Sequence, residues 1–155
     1  MAKVRAIPEG MHTVTPALTI EGAAQAIEFY KKAFGALEVD RAMDPTGKKV
    51  WHASMRIGDS MIFLGDASPE MGAPAQPSRL WIYTEGVDAA FQRAVSAGAT
   101  VRMPVQDMFW GDRMGQVQDR WGNVWSIAQH MKDLTPAEMK KAQDEFVAQM
   151  AKRKT

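Results

Sequence analysis

Apolar residues recur every three to four positions in some stretches of this chain and every second position in others, and the alternation between these periods marks out its elements. Residues 14–20 (VTPALTI) read as a strand. Ala23, Ile27, Tyr30 and Phe34 then stand at i, i+4, i+7 and i+11, the stripe of an amphipathic helix, and Gly35 stops it. Residues 37–42, 50–57 and 60–64 follow as three strands, the last two joined by a Gly58-Asp59 turn. Residues 66–78 (DASPEMGAPAQPS) are broken by Pro and Gly and read as a connecting loop.

The same order then returns. Residues 79–84 are strand-like, Val87, Phe91 and Ala94 mark a helix stopped by Gly98, and strands are predicted at 100–104, 114–118 and 123–129. Residues 106–113 (QDMFWGDR) form an aromatic stretch without regular period, read as a loop. A last helix is signalled by Thr135 as N-cap, Pro136 at its first position and Glu138 closing a capping box. Its apolar side is Met139, Ala142, Phe146 and Met150, with Lys140 and Lys141 on a solvated face.

The return has a fixed offset. Glu21-Gly22 and Glu85-Gly86 open the two helices 64 residues apart, and Gly58-Asp59 and Gly122-Asn123 join strands at the same spacing. The fold class is therefore α+β, with tandem βαβββ modules forming a curved mixed sheet, followed by a C-terminal helix. The expected organisation is one domain over 1–155: module one at about 13–66, a linker at 67–78, module two at about 79–131, and the helix at about 135–152.

Alternation divides each strand between a helix-covered face and a second face. Ile62, Leu64, Leu80, Ile82, Trp125 and Ile127 suit the covered face, as does the row Trp51, Ala53, Met55 and Ile57. The second face is then lined by Thr15, His52, Phe63, Arg79, Trp81, Tyr83 and Gln116, with Ser126 on the last strand. Adding 64 carries Thr15 to Arg79, His52 to Gln116 and Ser54 to Gln118, polar onto polar or mixed. A partly polar, partly aromatic concave face implies a ligand cup.

An apolar content of 46% supports a real core, and a net charge of +1 with interspersed signs excludes a general nucleic-acid or membrane surface. The absence of cysteine removes disulfides, thiol nucleophiles and thiolate metal sites. No stretch approaches the ~18 apolar residues of a membrane span, nor is there a leader-like apolar region, so the expected location is the cytoplasm.

His52 is the one histidine inside a predicted strand and is the candidate general base; the plainer reading is a hydrogen-bonded structural residue. Trp110, Asp112 and Arg113 could clamp a polar ligand beside an aromatic wall, or form a loop-fixing salt bridge under a tryptophan lid. Asp119 is expected to fix its turn. His12, His52 and His130 show no metal-ligand spacing, and no nucleotide-binding glycine pattern or Ser-His-Asp order is present.

The segments AIEFYKKAFGA (26–36), HASMRIGDSMIFLGD (52–66), GVDAAFQRAVSAGATV (86–101), FWGDRMGQVQDRWGNVWSIAQH (109–130) and LTPAEM (134–139) together resemble the vicinal-oxygen-chelate superfamily of glyoxalases, bleomycin-resistance proteins and extradiol dioxygenases. Within it they look most like the PhnB-like group, also labelled 3-demethylubiquinone methyltransferase-like. The resemblance implies paired modules, commonly in a homodimer. It places the usual metal-ligand positions at Thr15, Phe63, Arg79 and Ser126, none of them a normal ligand for a divalent ion. It thus implies a protein without metal or other cofactor. The expected function is binding a small aromatic or anionic molecule in the cup, of sequestration or resistance type. The ligand-binding set is Thr15, Phe63, Arg79, Trp81, Tyr83, Trp110, Asp112, Arg113, Gln116 and Ser126. The alternative is a metal-free lyase, isomerase or transferase using His52 as base.

Overall fold

In the computed structural model, which describes residues 4–153, the first helical stripe becomes α1 (Ala23–Phe34). It buries Ala23, Ala26, Ile27, Tyr30 and Ala33. Gly35 takes the left-handed conformation, φ 65°, and its N–H closes on the Tyr30 carbonyl, the expected glycine stop. The helix covers one face of a sheet made of β1 (Ala17–Ile20), β2 (Leu37–Met43), β3 (Val50–Ile57) and β4 (Ser60–Asp66), in the order β1-β4-β3-β2. Only β1 and β4 run parallel, as a helical crossover requires. Leu18, Ile20, Ala53, Met55, Ile62 and Leu64 are buried on the helix side.

The second set repeats this arrangement. β5 (Arg79–Tyr83), α2 (Val87–Ser96), β6 (Thr100–Asp107), β7 (Asp112–Gln118) and β8 (Val124–His130) give a sheet in the order β5-β8-β7-β6. Phe91 of α2 seats against Gly115, where a Cβ would come within 2.6 Å of the ring. The two sets form two compact units, residues up to 78 with 96–98, and residues 79–95 with 99 onward. The helix α3 (Pro136–Lys152) starts with the expected capping box between Thr135 and Glu138.

Both modules are fastened by a device with no local sequence signal. Asp66, at the end of β4, accepts the Gly22 and Ala23 N–H groups at 2.9 Å each and the Val50 N–H at 2.7 Å. In the second unit the Gln129 amide oxygen accepts the Gly86 and Val87 N–H groups at 3.0 and 3.1 Å. Each helix N-terminus is thus capped by a side chain from the last strand of its own module.

Several expectations are corrected. Trp51 does not join the buried row: it is 60% exposed. Ala42 pairs with His52 while Met43 pairs with Val50, so Trp51 is the extra residue of a bulge, and Val50 takes the buried place. The constant offset also fails within the hairpins. Ser54 pairs with Phe63 as Gln116 pairs with Ser126, which makes Ser54, not His52, the counterpart of Gln116. The second turn is one residue longer, because Asp119 still pairs with Asn123. Residues 106–113 are not all loop, since β6 runs to Asp107 and β7 begins at Asp112. β1 starts at Ala17 and leaves Val14 exposed. Finally, α3 buries none of its residues, although Phe146 meets the Phe109 ring at 5.0 Å. Among the described residues no helix is long and apolar enough to cross a membrane.

Candidate functional site

On the open face of the first unit, Ala17, Phe63 and Ser54 stand in one row across β1, β4 and β3, with Asp40 of β2 beyond them. His52 packs edge-on against Phe63, ring centroids 4.8 Å apart, and its Nε2 lies 3.1 Å from Ser54 Oγ. The same nitrogen is 3.9 Å from Asp40 Oδ1. A relay would need the hydroxyl and the carboxylate on different ring nitrogens. Here both approach Nε2, so the group is not a Ser-His-Asp triad. Thr15 precedes β1 and is half-buried.

The open face of the second unit is richer. Trp81 and Tyr83 project from β5 with ring centroids 6.1 Å apart, 46% and 62% exposed. Trp81 stands beside Ser126 and Gln116 in one row, and Gln116 Nε2 donates to Ser126 Oγ at 3.1 Å. The Tyr83 hydroxyl reaches across β8, where its neighbour is the small Ala128, and donates to Asp112 Oδ2 of β7 at 2.9 Å. Trp110 Nε1 donates to the same oxygen at 3.0 Å. The other oxygen, Oδ1, lies 2.8 Å from His130 Nδ1, and His130 Nε2 lies 3.0 Å from Asp133 Oδ1. Asp112 is 3% exposed and is the centre of this cluster.

The electrostatics follow from that geometry. Burial alone would push the Asp112 carboxyl up, but donors from His130, Tyr83 and Trp110 outweigh it and hold the pKa below the ordinary range. The hydrogen bond to Asp112, and then the one to Asp133, raise the His130 pKa and favour the imidazolium. Tyr83 is raised chiefly by its bond to Asp112, which keeps the phenol neutral. The position of the cluster is fixed by the turn after β6: Gly111, at φ 100°, accepts the Met131 and Lys132 N–H groups and has no room for a Cβ beside the Lys132 carbonyl.

Of the expected ligand set, the second unit brings together Trp81, Tyr83, Trp110, Asp112, Gln116 and Ser126. Arg113 is not among them. Being next to Asp112 on a strand, it points to the opposite face, where it makes a two-pronged contact with Asp88 of α2 at 2.7 and 2.9 Å and a third with Asp107. Both partners raise its pKa. The Asp112–Arg113 clamp is therefore split between two roles, and Arg113 ties helix to hairpin. Arg79, two residues before Trp81 on the same side of β5, is exposed. Asp119 fixes its turn as expected, accepting from the Trp121 and Asn123 N–H groups and from Trp125 Nε1.

His130 and Asp133 join the cluster from outside the expected ligand set. The signal was available: Asp112 and His130 are equidistant from the β7–β8 turn and pair directly across the hairpin.

The four positions that the resemblance assigns to metal ligands, Thr15, Phe63, Arg79 and Ser126, carry a hydroxyl, a phenyl ring, a guanidinium and a second hydroxyl. Phe63 and Ser126 occupy matching places, beside Ala17 and Trp81 respectively. This donor set does not fit a divalent cation, and Arg79 adds a fixed positive charge. Among the described residues no three His, Cys, Asp or Glu side chains are grouped to hold a metal.

Solved structures share the fold. The chain is similar to TioX from a Micromonospora species, with a TM-score of 0.62 and 22% identity over 80% of this chain and 100% of that one. It is also similar to a PhnB protein from Bacillus cereus, with a TM-score of 0.55 and 19% identity over 76% and 99%. In sequence, uncharacterized proteins of Mycobacterium bovis and Mycobacterium tuberculosis are each 39% identical over 138 residues, spanning 83% of this chain and 90% and 81% of theirs. The family model described as Glyoxalase/Bleomycin resistance protein/Dioxygenase superfamily matches residues 11–127, across both βαβββ modules. With duplicated modules and this match in agreement, the chain belongs to the glyoxalase/bleomycin resistance protein/dioxygenase superfamily.

Proposed function

We propose that this chain is a metal-independent, PhnB-like member of its superfamily that binds a small, flat, anionic molecule for sequestration or resistance. The carrying observation is the Trp81–Tyr83 pair, two half-exposed rings of which one is locked through its hydroxyl to the buried Asp112. Such a platform meets a ligand with little loss of side-chain freedom. The neighbouring Gln116–Ser126 pair offers polar contacts, and Arg79 offers a cation on the same side of the strand. Stacking contributes about 0.5–1.5 kcal/mol per ring beyond area burial. A charge-assisted hydrogen bond contributes roughly 1.5–3 kcal/mol. A few such contacts give micromolar binding, about 8 kcal/mol, after the costs of association. The FWGDR segment (109–113) supports the PhnB-like assignment.

The test is ligand screening by tryptophan quenching on metal-stripped protein. Aromatic and heteroaromatic anions should bind first. Trp81→Ala and Arg79→Ala should each weaken them by about tenfold, the scale of one stacking or charged contact. Lys140→Ala, on α3 and paired with Asp144, should not. Equal effects from the three substitutions, or binding restored only by added Ni or Zn, would sink the reading. The His52–Ser54 contact favours a second reading, a metal-free lyase, isomerase or transferase with His52 as base. Turnover abolished by His52→Ala in the metal-free protein would establish it.

A further inference from the structure

His130 is held at its two ring nitrogens by carboxylates of opposite character. On Nδ1 stands Asp112, buried and locked in place by Tyr83 and Trp110. On Nε2 stands Asp133, whose side chain is fully exposed on the segment after β8. Displacing the first would leave one oxygen of a buried carboxylate without its donor. Replacing the second breaks only a solvent-screened contact between exposed groups, the kind that contributes little. The Nε2 position is thus aimed by a rigid partner and covered by an exchangeable one, and the exchangeable one is itself a carboxylate.

The surroundings specify what could take its place. Tyr83 and Trp110 converge on one oxygen of Asp112 while His130 takes the other, so two aromatic groups meet the carboxylate that orients the imidazole. Tyr83 pairs with Ala128 and His130 stands two residues further along β8, so the platform and the imidazole share one open face, and an acid held at Nε2 meets aromatic side chains on that face. We propose that His130 Nε2 binds the carboxylate of a small aromatic acid, with Asp133 as the internal carboxylate that yields its place. This rests on the Trp81–Tyr83 platform proposed above and deepens it by naming the ligand class and, for an acid with a single carboxylate, by putting its cation at His130, beyond the Tyr83 end of β5, in place of Arg79 at the other end. It also replaces Arg113, engaged by Asp88 and Asp107, as the expected anion partner.

Binding by this route needs the imidazolium. The groups facing His130 are Asp112 from β7, Asp133 from its own segment and, through Asp112, the neutral Tyr83 hydroxyl from β5. The two carboxylates raise the His130 pKa, so affinity should persist above the ordinary histidine value of about 6.5 and fall as pH rises through the shifted one.

The experiment measures 2-naphthoate and its neutral counterpart 2-naphthamide by calorimetry on the full chain. The proteins compared are the wild type, His130→Gln, Asp133→Asn and Trp81→Ala. His130→Gln should weaken naphthoate by about tenfold or more, the scale of one charged hydrogen bond, and leave naphthamide unchanged. Asp133→Asn removes the competing charge from an exposed position that folding does not depend on, and should tighten naphthoate several-fold. If neither substitution moves the naphthoate Kd by more than twofold, the proposal is overturned. If in addition Trp81→Ala weakens both probes, the platform reading survives without it. Failure of both probes to bind the wild type overturns the two together.

Discussion

Asp66→Ala should lower the stability of the first unit by about 2–4 kcal/mol, a figure that can be built from its three contacts. Two of its acceptor bonds go to the Gly22 and Ala23 N–H groups, which have no intrahelical partner and gain nothing from the side-chain-less Gly22 at the N-cap. Losing a cap of this kind costs ~1 kcal/mol. The third bond goes to Val50, a fully buried residue, whose N–H would be left without an acceptor at about 1–3 kcal/mol. The same N–H anchors the bulge that turns Trp51 outward, so the Trp51 environment should change as well.

Urea unfolding followed by far-UV circular dichroism measures the loss, and heating should lower Tm by roughly 5–15 °C for a chain of this size. Asp66→Asn keeps a carbonyl for the helix but turns an amide donor toward Val50, and should lose about half as much. Gln129→Ala is the internal control: its neutral oxygen serves only two N–H groups, and the loss should be about 0.5–1.5 kcal/mol. An Asp66→Ala loss no larger than that of Gln129→Ala would refute the reasoning, because it would mean that water satisfies Val50 at no cost.

Gly115→Ala should cost about 1–3 kcal/mol by forcing a methyl into the Phe91 ring, and Phe91→Leu in the same chain should recover part of it. Stability should also depend on pH through the Asp112–His130 pair. The raised His130 pKa gives a contribution fully present below its unfolded value and lost as pH rises through the folded one, while the lowered Asp112 pKa gives one present above its unfolded value and lost on acidification. Denaturation midpoints across pH should therefore show both limbs, and His130→Gln should flatten the alkaline one. Light scattering at micromolar concentration should give twice the chain mass, since β2 is a sheet edge that exposes Leu37 and Val39; a single-chain mass would count against a homodimer.

Most of the fold was legible because two periods and a set of glycine stops run through the chain twice. The failures have local causes. Strand parity fails at Trp51 because a bulge with no sequence signal resets it at that residue. Residues 106–113 (QDMFWGDR) show no regular period, so strand alternation has nothing to act on there. Carried back to Asp112, the alternation of β7 would have put Asp112 on the open face and Arg113 under α2, beside Asp88. The helix caps at Asp66 and Gln129 join residues more than forty positions apart, and no window of sequence brings those together.

Corrected registers also change what the duplication says about the site. Leu18 and Ile82, Met55 and Val117, Ile62 and Trp125, Leu64 and Ile127 occupy matching places in the two sheets, and all are apolar, because each must face a helix. The open face is under no such constraint, and there the modules part company: Ala17 corresponds to Trp81, Ser54 to Gln116, and Phe63 to Ser126. The acidic hub at Asp112 lies beyond these rows, where the β7–β8 ladder ends in the Asp112–His130 pair and Gly111 fastens the hairpin to the segment carrying Asp133. A binding face built from both modules alike would be expected to keep similar chemistry at matching positions. Here the aromatic platform, the amide–hydroxyl pair and the carboxylate–imidazole cluster all belong to the second module, while the first carries His52 against the Phe63 ring and the Ser54 hydroxyl. The duplication therefore supplied two frames of the same kind, and the exposed ring pair, the amide–hydroxyl contact and the carboxylate–imidazole cluster gathered on the second of them.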